Sequence, residues 1–203
     1  MILVGVVAGS GGGITVTTPS APQSFTATAA SSTQINLSWA APSNNGGAAI
    51  TGYQLLRGAT QIYPTLPATS GISTSYSDTG LNPATTYSYT VRAFNSAGNG
   101  PTASASATTS AGVPGALTYF ASTQTANQSG NWSWTAPANN GSPILYYALS
   151  GYVGTTTTST SYSANPGAYG DFSLTVAAVN AIGTGPSTTW ILTIENLGAG
   201  YWD

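Results

Sequence analysis

Ser38-Trp39-Ala40-Ala41-Pro42, followed by Asn44-Asn45-Gly46, returns later in the chain as Ser133-Trp134-Thr135-Ala136-Pro137 and Asn139-Asn140-Gly141. The echo continues downstream: Val91, Ala93, Asn95, Gly98, Gly100 and Pro101 are answered by Val176, Ala178, Asn180, Gly183, Gly185 and Pro186. A repeat this long is a whole domain rather than one unit of a solenoid. The 203 residues therefore read as two tandem domains. Each is near the small end of what folds alone. With 41% apolar residues there is enough material for two cores, and with no cysteine neither core is cross-linked.

Alternation runs through both copies. Ile35, Leu37 and Trp39 are separated by Asn36 and Ser38, and Tyr87, Tyr89, Val91 and Ala93 by Ser88, Thr90 and Arg92. Trp132 and Trp134, then Phe172, Leu174, Val176 and Ala178, repeat this parity. A period of two with polar partners marks strands with one buried face. No stretch shows capped helical periodicity, so the fold class is all-β. The stretch between the Trp134 strand and the Phe172 strand is shorter than its counterpart, which predicts a trimmed strand or loop. Four segments follow: an apolar arm with a Gly/Ser spacer over 1–18, a first domain over 19–110, a second over 111–197 and an aromatic tail over 198–203.

These residues resemble fibronectin type III domains. The likeness is carried in the first copy by Pro22, Leu37 to Pro42, Ile50-Thr51-Gly52-Tyr53, Asp78-Thr79-Gly80-Leu81-Asn82-Pro83-Ala84-Thr85-Thr86-Tyr87, Val91 to Asn95, and Gly98 to Pro101. It implies two Greek-key β-sandwiches, with Trp39, Tyr87, Trp134 and Phe172 expected in their cores. It also makes Tyr87 a tyrosine corner, its hydroxyl bonded to backbone near Leu81 to Pro83. The second copy departs here. Phe172 stands in place of the tyrosine, and Asn165-Pro166-Gly167-Ala168-Tyr169-Gly170 replaces the Leu-x-Pro run. Such a bond is worth about 0.5–1.5 kcal/mol net, so the second copy is expected to be the less regular one.

Charge is scarce. Only 3% of residues are charged, where ordinary domains carry roughly a quarter. Arg57 and Arg92 are the only cations, and Asp78, Asp171, Glu195 and Asp203 the only anions. Two arginines make no phosphate-binding groove, which excludes nucleic acid as a partner. They make no basic membrane patch either. His, Lys and Cys are absent, so a serine nucleophile has no base. Asp78 reads as a turn-capping residue, and Asp171 lies in the other domain, so they form no catalytic pair. Neither a zinc nor a calcium ligand set is present. No catalytic, metal or cofactor site is expected, and the chain is not read as an enzyme.

What remains is surface. Ile2, Leu3, Val4, Val6 and Val7 form an apolar, β-prone run without the basic flank of an export signal, and too short to span a bilayer. Tethered by Gly9-Ser10-Gly11-Gly12-Gly13, it suits strand addition to an open sheet edge, its own or a neighbour's. Tyr201 and Trp202 offer a second apolar end. Phe94 and Val179 share an outward strand position, either covered by neighbouring side chains or marking a packing face. Tyr63, Tyr119, Phe120, Tyr146, Tyr147, Tyr152, Tyr162, Tyr169, Tyr201 and Trp202 are not all needed for two cores; any single one is expected to pack in a core or along an edge, and those left over suit interfaces or sugars.

The main expectation is a structural or adhesive part of a larger assembly. By resemblance this is a phage virion component (decoration, fibre or tail) docking on capsid or tail proteins or on itself. The alternative is a cell-surface or secreted bacterial module, with polysaccharide as an admissible ligand.

Overall fold

The computed structural model describes residues 15–63, 73–125 and 128–196. The chain divides into two compact units that change over chiefly at Thr108/Thr109. Each is built from one three-stranded and one four-stranded antiparallel sheet, and no helix occurs among the described residues.

In the first unit, β1 (Gln23–Ala29), β2 (Gln34–Ala40) and β5 (Ser75–Thr79) form one sheet in the order β1-β2-β5. The other is β4-β3-β6-β7, from β3 (Gly52–Arg57), β4 (Thr60–Tyr63), β6 (Thr86–Asn95) and β7 (Gly98–Thr108). The chain thus crosses between sheets after β2, β4 and β5, as in a Greek key. Ile35, Leu37 and Trp39 are buried from one sheet, and Tyr53, Leu55, Tyr89, Val91 and Ala93 from the other. Tyr53 stands edge-on to Trp39, with ring centres 5.5 Å apart.

The second unit repeats the plan. Its sheets are β12-β9-β8 and β11-β10-β13-β14, from β8 (Phe120–Thr125), β9 (Ser129–Trp134), β10 (Ile144–Gly151), β11 (Thr155–Thr157), β12 (Ser161–Ala164), β13 (Gly170–Asn180) and β14 (Thr184–Ile194). Trp132, Trp134, Tyr147, Leu149, Leu174, Val176, Ala178, Leu192 and Ile194 fill its core. Tyr147 meets Trp134 edge-on at 5.3 Å.

Three expectations meet the structure here. Of the strand or loop expected to be trimmed in the second copy, no strand is missing, since β11 and β12 both form, and the shortening falls between them. The first copy's additional length between β4 and β5 falls in residues outside those described. Strand length does not rank the copies: β13 and β14 run 11 residues each against 10 and 11 for β6 and β7, while β9, β11 and β12 run 6, 3 and 4 against 7, 4 and 5 for β2, β4 and β5. Tyr87, the second residue of β6, is only half-buried, and the tyrosine that fills the core is Tyr89, 1% exposed. Phe172 is likewise half-buried, packed against the margin of the second core.

Two devices recur because the sequence repeats them. Pro19 and Pro114 are buried lead-in residues. A Cβ added at Gly100 would lie 2.4 Å from the Pro19 carbonyl oxygen, and one at Gly185 2.4 Å from that of Pro114. Only glycine admits this approach. Asn95 Nδ2 donates to the Thr17 and Asn45 carbonyls at 2.8 and 2.7 Å, and Asn180 Nδ2 to those of Gly112, Asn139 and Ser142. One buried amide thus ties the lead-in and the turn after the Trp strand to the end of β6 or β13.

Candidate binding surfaces

The acidic and basic groups come first, since they decide whether chemistry is available. Asp78 is not a turn residue. It lies in β5 opposite Ile35 and is 4% exposed. Arg57 Nη1 donates to both its carboxylate oxygens at 2.9 and 3.0 Å, and the Tyr89 hydroxyl donates to Oδ2 at 2.8 Å. Burial, then the bond to the Asp78 carboxylate, pushes the Tyr89 hydroxyl pKa far above its ordinary value. Arg57 also lies 5.8 Å over the Tyr87 ring. The carboxylate is fully engaged inside a sandwich, so this is an internal tie rather than a reaction centre. Alternation contained the signal: Tyr76 and Asp78 share the parity that faces Leu37 and Ile35.

Among the described residues no three His, Cys, Asp or Glu side chains gather as metal ligands. Asp171 accepts from the Thr193 hydroxyl at 2.6 Å, at the start of β13.

The docking candidates Ile2, Leu3, Val4, Val6, Val7, Tyr201 and Trp202 lie outside the described residues. Phe94 does face outward, and its ring covers Gly52, the residue paired with it across the sheet: a Cβ on Gly52 would meet the ring at 2.5 Å. Val179, paired with Tyr146, is 8% exposed. Phe94 thus packs over a glycine of its own sheet and stays half-buried, whereas Val179 is buried.

A shallow groove crosses the outer face of the β1-β2-β5 sheet, lined by Thr26, Thr28, Asn36, Ser38, Ser75 and Ser77 with Leu37 and Tyr76. Its polar groups already serve one another. Thr26 and Ser38 hydroxyls share a 2.8 Å bond, and Asn36 Oδ1 accepts from Gln34 and Ser77. A ligand there would have to break those bonds.

Exposed rings gather elsewhere. Of the large apolar side chains that stand exposed among the described residues, Val16 is the one in the first unit. Tyr119, Tyr146, Tyr152, Tyr169, Trp190 and Ile191 all belong to the second. Phe120 and Tyr147 are buried there. Tyr152 stands edge-on to Phe172 at 5.2 Å, and its hydroxyl donates to the Asn165 carbonyl at 3.3 Å. Trp190 is the outer ring of a stack. Its indole lies 5.7 Å from Phe120 with planes 23° apart, and Phe120 lies 5.7 Å from buried Trp134 at 17°.

The strand orders and core placements define a pair of tandem β-sandwiches of the immunoglobulin-like type. Residues 20–110 match the fibronectin type III domain profile. The chain is 31% identical over 180 residues to Chitinase A1 of Niallia circulans, covering 84% of this chain and 25% of that protein. With Exoglucanase B of Cellulomonas fimi it shares 41% identity over 98 residues, 48% of this chain and 8% of the enzyme. The chain thus spans a quarter or less of the length of these relatives. Among solved structures, the crystal structure of chicken CNTN1 FN1-FN3 domains superposes with a TM-score of 0.54 at 17% identity, covering 87% of this chain and 67% of that one. That likeness establishes the fold alone.

Proposed function

We propose that the chain is a non-catalytic pair of sandwiches in a secreted or cell-surface protein, acting as a binding and spacing module that holds its partner near polysaccharide. The observation that carries this reading is where similar sequence recurs: as a small part of proteins named for acting on glucan and chitin. Such polymers are too large to enter a cell, which puts proteins that meet them outside. The exposed rings of the second unit supply apolar contact area of the kind sugars and protein partners both use. The test is retention of the intact chain on insoluble cellulose and chitin, with fractionation of the producing cells. Recovery only in the cytosol, with no retention on any neutral polysaccharide, overturns it.

A second reading keeps the chain as a structural part of a larger assembly, a virion included, docking on other subunits or on itself. It is supported by the nearly uncharged surface, which offers little repulsion between packed copies. Co-purification with particles tests it, and a solitary monomer that never accompanies an assembly overturns it.

A further inference from the structure

We propose that Trp190 is the stacking platform for a neutral sugar ring, so that the second sandwich binds polysaccharide while the first acts as a spacer. This rests on the polysaccharide reading above and assigns it a residue.

The two copies provide an internal comparison. Leu174 pairs with Trp190 across β13 and β14, as Tyr89 pairs with Ala105 across β6 and β7. Trp190 thus occupies the position that Ala105 holds in the first unit. Fold closure does not require the indole, because the first sandwich closes with alanine there. The rings beneath differ as well. Phe25 meets Trp39 edge-on, at 6.1 Å and 75°, whereas Phe120 stacks near-parallel on both Trp134 and Trp190.

The indole is also held in place. One face of Trp190 is backed by a ring 6% exposed, itself backed by one 4% exposed, yet Trp190 remains 42% exposed. A large ring fixed by packing loses little freedom when it binds, which favours affinity. A pyranose ring presents C–H groups on its flatter faces, and these match an indole face.

Charge selects the ligand. No Lys, Arg or His occurs after Arg92, and the charged residues beyond it are Asp171, Glu195 and Asp203. An anionic polymer would meet only like charge here. A neutral chain such as a glucan or chitin pays no such penalty, and its binding is insensitive to salt.

The test uses the intact chain on insoluble cellulose and on chitin, at low salt and in 1 M NaCl (about 3 Å screening length). The expected result is salt-insensitive retention that falls roughly tenfold or more in Trp190→Ala, while Val16→Ala, an exposed apolar side chain of the first unit, retains wild-type binding. Thermal unfolding shows whether Trp190→Ala is folded. Independently of any variant, cellohexaose or chitohexaose should protect the wild-type Trp190 indole from N-bromosuccinimide, read as the mass of the chymotryptic peptide. Retention of wild type with equal retention of folded Trp190→Ala, or an unprotected Trp190, overturns this assignment and leaves the polysaccharide reading standing. No retention of wild type on either polymer removes both.

Discussion

Asp78, Arg57 and Tyr89 show what a single buried carboxylate demands. Arg57 is one-third exposed while Asp78 is 5% exposed at its side chain, so most of the desolvation falls on the acid. Replacing Asp78 with Ala leaves a buried tyrosine hydroxyl unpaired and an arginine without its anion. A loss of about 2–4 kcal/mol is expected, less than for a fully buried pair because water reaches Arg57. Tyr89→Phe should cost about 1 kcal/mol. The double variant should lose less than the sum, since the hydroxyl is already orphaned once Asp78 is gone, and a denaturant-unfolding cycle measures this. The second unit reaches the same fold with Gly151, Ala164 and Leu174 at the corresponding ladder positions. Charge at this place is therefore one solution rather than a requirement.

Tyr89 also sets a pH dependence. Its folded pKa is raised, first by burial and then by Asp78, and burial raises those of Tyr53 and Tyr147 as well. An acid whose folded pKa lies above its unfolded value favours the folded state below the unfolded value, about 10 for tyrosine. That contribution is lost as pH climbs from there toward the folded value. Thermal midpoints should hold level from neutral pH to about 10 and then fall. In Tyr89→Phe the alkaline fall should be shallower. A midpoint that rises above pH 10, or an identical fall in the variant, contradicts the assignment.

At the scale of the strands, the lead-in segments are held by close backbone approach. The Pro19 carbonyl against Gly100 and the Pro114 carbonyl against Gly185 leave no space for a methyl group. Gly100→Ala and Gly185→Ala should each destabilise by roughly 1–3 kcal/mol, as overpacking does. The midpoint in urea should drop with an unchanged slope. Gly154→Ala is the control, since a Cβ there meets nothing within 4 Å. The same paired glycines stand in both copies of the sequence, so their recurrence was visible there. Their reason was not, because the approaching carbonyl lies far away along the chain. Phe94 teaches the converse. Its outward parity was legible, but that it covers Gly52 depends on the pairing of β3 with β6.

The molecule as a whole carries six charged side chains, and two of them are consumed by the Arg57–Asp78 pair inside a sandwich. Stability should therefore scarcely respond to salt. Raising NaCl from about 0.05 to 0.5 M should leave the melting temperature within about two degrees, because few exposed charges remain to be screened. A shift of many degrees would contradict this reading.

Periodicity and the long repeat determined the all-β class, the two copies and the parity that buries Trp39 and Trp134. These are local properties: a side chain's face follows from its place in a pleat. The profile match over residues 20–110 bears out the family resemblance for the first copy. Tertiary structure alone decided that Asp78 is an ion-pair partner inside a core and that Tyr89 rather than Tyr87 fills it. It also decided that Trp190 ends a stack of rings while remaining 42% exposed. Each of these depends on which strand lies opposite and on what the facing sheet presents, and that information is carried by register and sheet packing, not by spacing along the chain.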